Sequence, residues 1–134
     1  MTETVLVHRR QWRFYETEVG NKPVKEFLDE LPAADAAEVV AGMRDVAKLG
    51  LAAARHLRND IWEVRIQGEN RIFRVLFSPE GRFKQVLLAL EGFTKKTQKT
   101  PPNTITLAER RLADWRRRGQ LAKSKTESSR SKND

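Results

Sequence analysis

The apolar run at residues 86–90 constrains this 134-residue chain more than any other feature. Five consecutive valine, leucine and alanine side chains leave no polar face to expose. The run therefore predicts a strand in the interior of a sheet, covered on both sides. Three lysines, three threonines and a glutamine follow directly, within residues 94–101, which we call the lysine loop. Because like charges repel each other, this grouping predicts an anionic partner that neutralises the amines.

The remaining pattern predicts a small α+β domain. Apolar residues recur at helical spacing in two early segments and alternate, or run continuously, in four others. Residues 51–60 are expected to form a loop with some helical turn, and residues 106–109 offer a capping box for a last helix. Strands are expected at residues 12–19, 61–66, 71–77 and 84–93, with a turn at 78–81, and helices at 23–31, 33–49 and after 103.

Charge and composition give the expected domain organisation. Residues 94–134 carry twelve basic and four acidic side chains, which accounts for the whole net charge of +8. A localised cationic surface favours nucleic acid as partner, and the alternative is a solubilising tail. We expect an extension at residues 1–11, a domain at 12–118 and a disordered tail at 119–134. With no apolar segment long enough for a signal or a membrane span, a cytoplasmic protein without membrane contact is expected.

Arg74 is the strongest single indication of a functional site. It lies in residues 72–77, where every other side chain is apolar. A guanidinium in a central strand needs a partner. Either Glu63 or Glu91 from a neighbouring strand pairs with it, or Arg74 holds a phosphate through two hydrogen bonds.

Other arginines could extend this site into a basic stripe across one sheet face. Arg65 follows Glu63 by two residues, so both lie on one face of their strand. A side chain at such a position either faces solvent or joins the stripe. Arg58 and Arg71 are further candidates for RNA binding, and each is equally consistent with a solvated loop charge.

The lysine loop supplies candidate phosphate ligands, and a lysine placed there could also act as a general acid or base. A flexible basic loop is the alternative. Phe93, just before the loop, could stack on a base, and His56 is either a proton-transfer group or an ordinary loop histidine. The loop residues of interest are Lys95, Lys96, Gln98 and Lys99.

Several other chemistries lack the residues they require. There is no cysteine, which excludes disulfides and thiolate metal sites. The two histidines, His8 and His56, are far apart in sequence and no metal-ligand spacing surrounds them. No glycine-rich phosphate loop or nucleophile elbow occurs. Neither a metal nor another cofactor is therefore expected.

Three motifs together resemble the RelE/HigB-like toxins of bacterial type II toxin–antitoxin modules, in particular their phage-derived, HigB-like branch. The similarity covers roughly residues 12–117 and implies a RelE-like fold, with two N-terminal helices on one face of a small antiparallel sheet and a C-terminal helix. The motifs are Gly92-Phe93-Thr94-Lys95-Lys96-Thr97-Gln98-Lys99-Thr100-Pro101, Trp62-Glu63-Val64-Arg65 and Arg71-Ile72-Phe73-Arg74-Val75.

The resemblance implies a metal-independent endoribonuclease (an mRNA interferase) that cleaves mRNA, generally on the ribosome, and so inhibits translation. Arg74 matches the strand arginine that stabilises the scissile phosphate, and Arg65 matches a basic residue on the preceding strand. The lysines of the loop match late basic residues of the family. Glu63 replaces the family's first basic residue on its strand, so it is either a carboxylate base or a partner of Arg65 or Arg74. On this basis Arg74→Ala is expected to abolish growth inhibition without unfolding the protein.

The resemblance also implies a cognate antitoxin, often a helix-turn-helix protein encoded nearby, through which alone the complex would contact operator DNA. Two alternatives use the same basic surface. The chain could be a non-catalytic module that binds RNA or the ribosome, or a degenerate toxin that acts through its partner. An interaction protein with an acidic partner is a third possibility.

Overall fold

The structure, a computed structural model, describes residues 9–95 and 99–132, with side chains described up to residue 123. The described chain forms one five-stranded sheet with helices on both faces. Its elements are β1 (Gln11–Phe14), α1 (Pro23–Glu30), α2 (Ala33–Leu49), a 3-10 helix (Gly50–Ala53), β2 (Arg55–Arg58), β3 (Ile61–Gln67), β4 (Ile72–Glu80), β5 (Val86–Lys95) and α3 (Pro102–Lys132).

The sheet confirms the α+β class and the interior position of the apolar strand. Its strand order is β1-β5-β4-β3-β2, so β5 has a neighbour on each side. The strands β2 to β5 are antiparallel, whereas β1 runs parallel to β5. The sheet is therefore mixed rather than wholly antiparallel. All the other strands lie between β1 and β5 in sequence, a connection long enough to permit a parallel pairing.

The helices α1 and α2 cover one face of the sheet, as the resemblance implies. A Cβ atom at Gly92 would lie 2.4 Å from Phe27 Cδ2, so the glycine of the lysine-loop motif allows α1 to pack directly on β5. Trp12 Nε1 of β1 donates a 2.7 Å hydrogen bond to the carbonyl oxygen of Met43 in α2. The buried residues of this layer are Val24, Val39, Met43, Val46, Val64, Ile66, Phe73, Val75, Phe77, Leu87 and Ala89.

The opposite face packs against α3 through the apolar stripe that the sequence predicts. Ile105, Ala108 and Leu112 of α3 are buried against the sheet, and Trp115 packs beside them. Their sheet partners include Leu76 of β4. Burial of such side chains contributes about 1.5–3 kcal/mol each to folding. The first half of α3 is therefore a core element, fixed close to the end of the lysine loop.

Three predicted segments differ in the structure, and the first is the turn at 78–81, because β4 continues to Glu80. Residues 51–60 contain the strand β2 rather than only a loop, and β2 pairs with β3 through Arg55 opposite Glu63. Four residues carry too short an alternation to be distinguished from a loop by pattern alone. The strand predicted at 12–19 is also shorter, ending at Phe14.

The ends of the later elements also differ from the prediction. The helix α3 begins at Pro102, not at the predicted capping box, because proline suits the first helical turn. Thr106 is already inside the helix, and its hydroxyl donates to the carbonyl oxygen of Pro102. From Gly119 to Lys132 the backbone is helical, where a disordered tail was predicted. Ala and Lys, which occur in this segment, are among the strong helix formers, so the helix can continue past Gly119. The domain boundaries at 12 and 118 stay a prediction.

The arginines of α3 are largely engaged within the molecule. Arg111 pairs with Glu91 of β5 at 3.3 Å, and Arg118 pairs with Asp114 at 2.8 Å. Arg116 pairs with both Glu80 and Asp60. The pairs with Glu91 and Glu80 hold the helix against the sheet, and all these pairs partly neutralise the basic excess of this region internally. Within the described residues, no helix is both long and apolar enough to cross a membrane.

The buried carboxyl of Glu80 makes stability depend on pH. Burial alone would raise its pKa, but hydrogen bonds from Arg116 and Ser78 outweigh burial and hold the pKa below its ordinary value. A depressed carboxyl pKa in the folded state stabilises the protein above the unfolded pKa. This stabilisation is lost as the pH falls through the folded value.

Replacing Arg116 by methionine is therefore expected to lower the free energy of unfolding at pH 7 by about 1–3 kcal/mol, because it removes charge-assisted hydrogen bonds. The difference from wild type should shrink as the pH falls below the unfolded pKa of about 4.3 and through the lower folded pKa, because Glu80 is protonated in both states only below the folded pKa. Urea unfolding at several pH values measures it. Arg110→Met, at an exposed position of the same helix, should change little at any pH, and a pH-independent effect of Arg116→Met would contradict the assignment.

Candidate functional site

The register of the strands places the predicted residues in rows across the α3 face of the sheet. Cross-strand neighbours in a sheet lie within contact distance, so each row forms one continuous strip. Three rows follow one another along the strands. They are Arg55–Glu63–Leu76–Glu91, then Arg65–Arg74–Phe93, then Gln67–Ile72–Lys95.

A buried polar network occupies the centre of the first two rows. Arg74 and Glu63 are both fully buried, with 3.8 Å between Arg74 Nη1 and Glu63 Oε2. Thr100, at the end of the lysine loop, accepts a 2.8 Å hydrogen bond from Arg74 Nη1 and donates one to Glu63 Oε2. Arg65 Nε donates to the other carboxylate oxygen, Glu63 Oε1. Of the two partners that the sequence offered for Arg74, the structure selects Glu63.

Electrostatics explain why these groups occur together. Burial lowers the pKa of the Arg74 guanidinium, and the negative charge of Glu63 opposes that shift. An arginine nevertheless stays charged in a protein, so its burial requires a counter-charge. Glu63 meets this requirement from the adjacent strand. Glu91, the alternative partner, pairs with Arg111 instead.

A cleft of about 400 Å³ lies beside this network, between β2, β3, the end of the lysine loop and the start of α3. Three cationic side chains line it, from three separate stretches of the chain. The side chain of Arg65 is 23% exposed there. Because a guanidinium has five N–H donors, Arg65 can hold Glu63 through Nε and contact an anion through its terminal nitrogens. The lining includes Arg55, Leu57, Arg65, Lys99, Thr100 and Ile105.

Arg74 lies beneath the surface rather than in the cleft. With no exposed surface, it cannot touch a substrate in this conformation. The expectation that it contacts the scissile phosphate therefore disagrees with the structure. The physical reason is that Thr100 and Glu63 cover the guanidinium and satisfy its charge. Arg74 acts on the cleft through Glu63 and Thr100.

Of the residues predicted at this end of the site, the structure describes Phe93, Lys95 and Lys99, and the first two belong to the rows of this sheet face. Lys99 lines the cleft, and Lys95 is exposed at the end of β5. Phe93 is half-buried next to Arg74, whose Cζ atom lies 6.0 Å from the centre of the phenyl ring. Lys96 and Gln98 lie outside the described residues, so their predicted roles are not located.

The two candidate general bases, Glu63 and His56, differ in their access to the cleft. Glu63 is fully buried and both its oxygens are engaged. The ring of His56 stacks 5.0 Å from that of Trp62, which packs with the α1–α2 core. His56 Nε2 lies 2.6 Å from the carbonyl oxygen of Asn59, which can only accept, so Nε2 carries the proton and donates. His56 is also one of the residues that line the cleft, so its role as a proton-transfer group stays a prediction.

Two further arginines of the predicted stripe lie elsewhere. Arg58 donates hydrogen bonds to Glu109 and Thr106 and so ties β2 to α3. Arg71 lines a different hollow, beside the β3–β4 turn and the N-terminal end of α2, together with acidic residues such as Asp35. The prediction of a basic stripe across the whole sheet face is therefore wrong. The cationic residues Arg55, Arg65 and Lys99 are instead grouped at the cleft.

Arg55 is the cleft residue that the sequence did not indicate. It lies in β2, which the sequence predicted as a loop, so no face could be assigned to it. The alternation of Arg55 with Leu57 was the available signal, since Leu57 packs against the α3-side core. Within the described residues, no three His, Cys, Asp or Glu side chains lie close enough to hold a metal ion.

Comparison with known proteins gives a family and close relatives. The family described as phage derived protein Gp49-like (DUF891) matches residues 26–113, which include β2 to β5 and the first half of α3. Proteins named "Probable endoribonuclease HigB1" from two strains of Mycobacterium tuberculosis, CDC 1551 / Oshkosh and ATCC 25618 / H37Rv, are each 37% identical over 109 residues. The similarity covers 79% of this chain and 85% of each relative. The resemblance to the phage-derived, HigB-like branch is confirmed, and the chain belongs to the Gp49-like family of phage-derived proteins.

Proposed function

We propose that this protein is the toxin of a toxin–antitoxin module, an endoribonuclease that cleaves mRNA and so inhibits translation and growth. The observation that carries the proposal is the cationic cleft formed by Arg55, Arg65 and Lys99. The name of the Mycobacterium tuberculosis relatives supports the reaction class. A cleft with three cationic side chains fits a backbone phosphate, because neutralising phosphates is the main source of affinity for nucleic acid.

The reaction that the cleft suits is transfer of a phosphoryl group within the RNA. The 2′-hydroxyl attacks the adjacent phosphorus, the 5′-oxygen leaves, and the products carry a 2′,3′-cyclic phosphate and a 5′-hydroxyl. Negative charge develops on the non-bridging oxygens in the transition state. Arg65 and Lys99, which both line the cleft, stabilise that charge, and fixed donors of this kind are usually the largest contribution to catalysis.

Two neighbouring residues extend the RNA path along the sheet. Phe93 stacks on a base adjacent to the scissile phosphate, using the exposed part of its ring. Lys95, in the next row, contacts a flanking phosphate. The cleft alone is small, so it holds one nucleotide linkage while these residues set the direction of the strand.

The proposal includes partners that belong to this function. The chain acts in the cytoplasm, on mRNA in the ribosomal decoding site, and a cognate antitoxin with a helix-turn-helix domain neutralises it. The antitoxin, not the toxin, contacts operator DNA. An acidic segment of such a partner would compete with RNA for the cationic cleft, which is the simplest way to inhibit the enzyme.

Cleavage of a defined mRNA by the purified protein tests the proposal, with and without ribosomes. We expect fragments that end in a 2′,3′-cyclic phosphate, mapped by end-specific ligation, and, in the reaction without ribosomes, undiminished cleavage in the presence of EDTA. Since the stabilising charges come from side chains, no added metal is needed. Binding without cleavage in both conditions would favour the non-catalytic module instead.

A second expectation concerns Lys99. Lys99→Ala should lower the rate of cleavage by about 100-fold, the effect of removing one donor to a developing oxyanion. Lys48→Ala, a matched loss of charge at an exposed position of α2, should leave the rate within about twofold of wild type, as a surface change should. Equal activity of the two variants would remove Lys99 from the mechanism.

A further inference from the structure

Thr100 connects the buried network to the cleft. Its side chain is buried, with a residual exposure of 6%, while its neighbour Lys99 is exposed and lines the cleft. The hydroxyl of Thr100 bonds to both members of the buried pair, Arg74 and Glu63. The other oxygen of Glu63 accepts a hydrogen bond from Arg65, which also lines the cleft.

The direction of each hydrogen bond follows from the chemistry of the groups. A guanidinium has donors only, so the hydroxyl oxygen of Thr100 must accept from Arg74. Its single proton is then left for the carboxylate of Glu63. The position therefore needs a side chain that both accepts and donates, a requirement that serine meets and valine does not.

We propose that the buried Glu63–Arg74 pair is a positioning device in which Thr100 fixes Lys99 in the cleft that Arg65 also lines. One carboxylate orients both side chains, Arg65 directly and Lys99 through the residue next to it. Thr100 is thus a positioning residue and touches no substrate. The inference rests on the proposed function, since it states how the two phosphate ligands of that site are held.

Holding Lys99 in position matters because a lysine side chain is flexible. A surface lysine has four rotatable bonds, and ordering its side chain costs about 1.5–2 kcal/mol of entropy. A ligand held close to its productive position contributes more to the rate than a free one. Anchoring the backbone at Thr100 removes the mobility of the residue that carries the ammonium group.

A double-mutant cycle separates positioning from a general structural role. We expect Thr100→Val to lower kcat at least tenfold in the wild-type background and less than twofold in the Lys99→Ala background, because the lysine that it positions is already absent. Thr100→Ser should restore most of the activity. Thr104→Val, a matched hydroxyl loss at a half-buried position nearby, should be neutral. Equal losses in both backgrounds would overturn the proposal.

An insertion guards against a variant that fails to fold. One glycine inserted between Lys99 and Thr100 leaves the hydrogen bonds of Thr100 intact, but Lys99 is no longer attached directly to the anchored residue. We expect a loss of activity close to that of Lys99→Ala with an unchanged midpoint of urea unfolding. An insertion variant with full activity would refute the positioning role.

Two readouts do not depend on cleavage, so they distinguish failure of this inference from failure of the proposed function. Amide hydrogen exchange of a peptide spanning residues 99–105 should be faster in Thr100→Val than in Thr100→Ser. A plot of the logarithm of the RNA-binding constant against the logarithm of the salt concentration has a slope that reflects the number of phosphate contacts. This slope should become shallower by about one unit in Lys99→Ala and by part of a unit in Thr100→Val. If wild type cleaves no RNA but both readouts behave as stated, only the proposed function fails. If exchange and slope match wild type in Thr100→Val, the positioning device is wrong.

Discussion

Glu63→Gln is expected to lower the free energy of unfolding by about 3–5 kcal/mol, the cost of breaking a buried ion pair by removing one partner. The substitution preserves shape and most hydrogen bonds, but it removes the negative charge that neutralises the fully buried Arg74. Domains of this size are stable by about 5–15 kcal/mol, so the variant loses a large share of its stability.

Urea unfolding monitored by circular dichroism measures this loss as a lower midpoint at an unchanged slope. Glu18→Gln is the matched control. Glu18 is 71% exposed in its 3.8 Å pair with Arg117, and an exposed pair contributes at most about 1 kcal/mol. A second control removes both buried charges, in Glu63→Leu with Arg74→Met, and should be more stable than Glu63→Gln. A midpoint of Glu63→Gln equal to that of Glu18→Gln would contradict the buried pair.

The same reasoning changes what Arg74→Ala should show. From the sequence alone, this variant was expected to fold and to be inactive. In the structure it leaves Glu63 buried without its fully buried counter-charge and creates a cavity next to Phe93. We therefore expect a destabilised protein, and loss of growth inhibition by this variant would not show a direct contact with RNA.

Patterns that act over a few residues predicted much of the fold. The bounds of α2 were predicted as the structure has them, because its apolar stripe is long and Gly50 ends it. The interior strand β5 and the apolar face of α3 followed from uninterrupted or periodic apolar side chains. The apolar pattern within such a segment is enough to indicate which of its side chains are buried, so no knowledge of its neighbours is needed.

What the sequence could not supply was the depth at which the charged residues lie. Pattern alone put Arg74 among apolar residues but could not decide between an internal carboxylate and a phosphate. Thr100, the residue that hydrogen-bonds to both Arg74 and Glu63, lies 26 residues after Arg74 in the chain. The short strand β2 likewise becomes visible only through its pairing with β3, and with it the position of Arg55.

Arg65→Gln is expected to lower the rate of RNA cleavage by about 100- to 1,000-fold, the usual effect of removing a principal charge-stabilising donor. The glutamine amide can still donate to Glu63, so the buried network keeps its hydrogen bond while the cleft loses a positive charge. Single-turnover cleavage of a defined RNA, together with its binding affinity, separates loss of chemistry from loss of binding.

Arg82→Ala is the matched control, because Arg82 is exposed in the β4–β5 connection and stacks on Phe83, outside the rows of the site. Arg65→Lys adds a finer distinction. A lysine keeps the charge but cannot hold Glu63 and a phosphate with the planar geometry of a guanidinium, so it should recover binding more than rate. Full activity in Arg65→Gln would show that the cleft is not the catalytic site. Charge at Arg65 is needed only if the phosphate lies where Arg65, Arg55 and Lys99 converge.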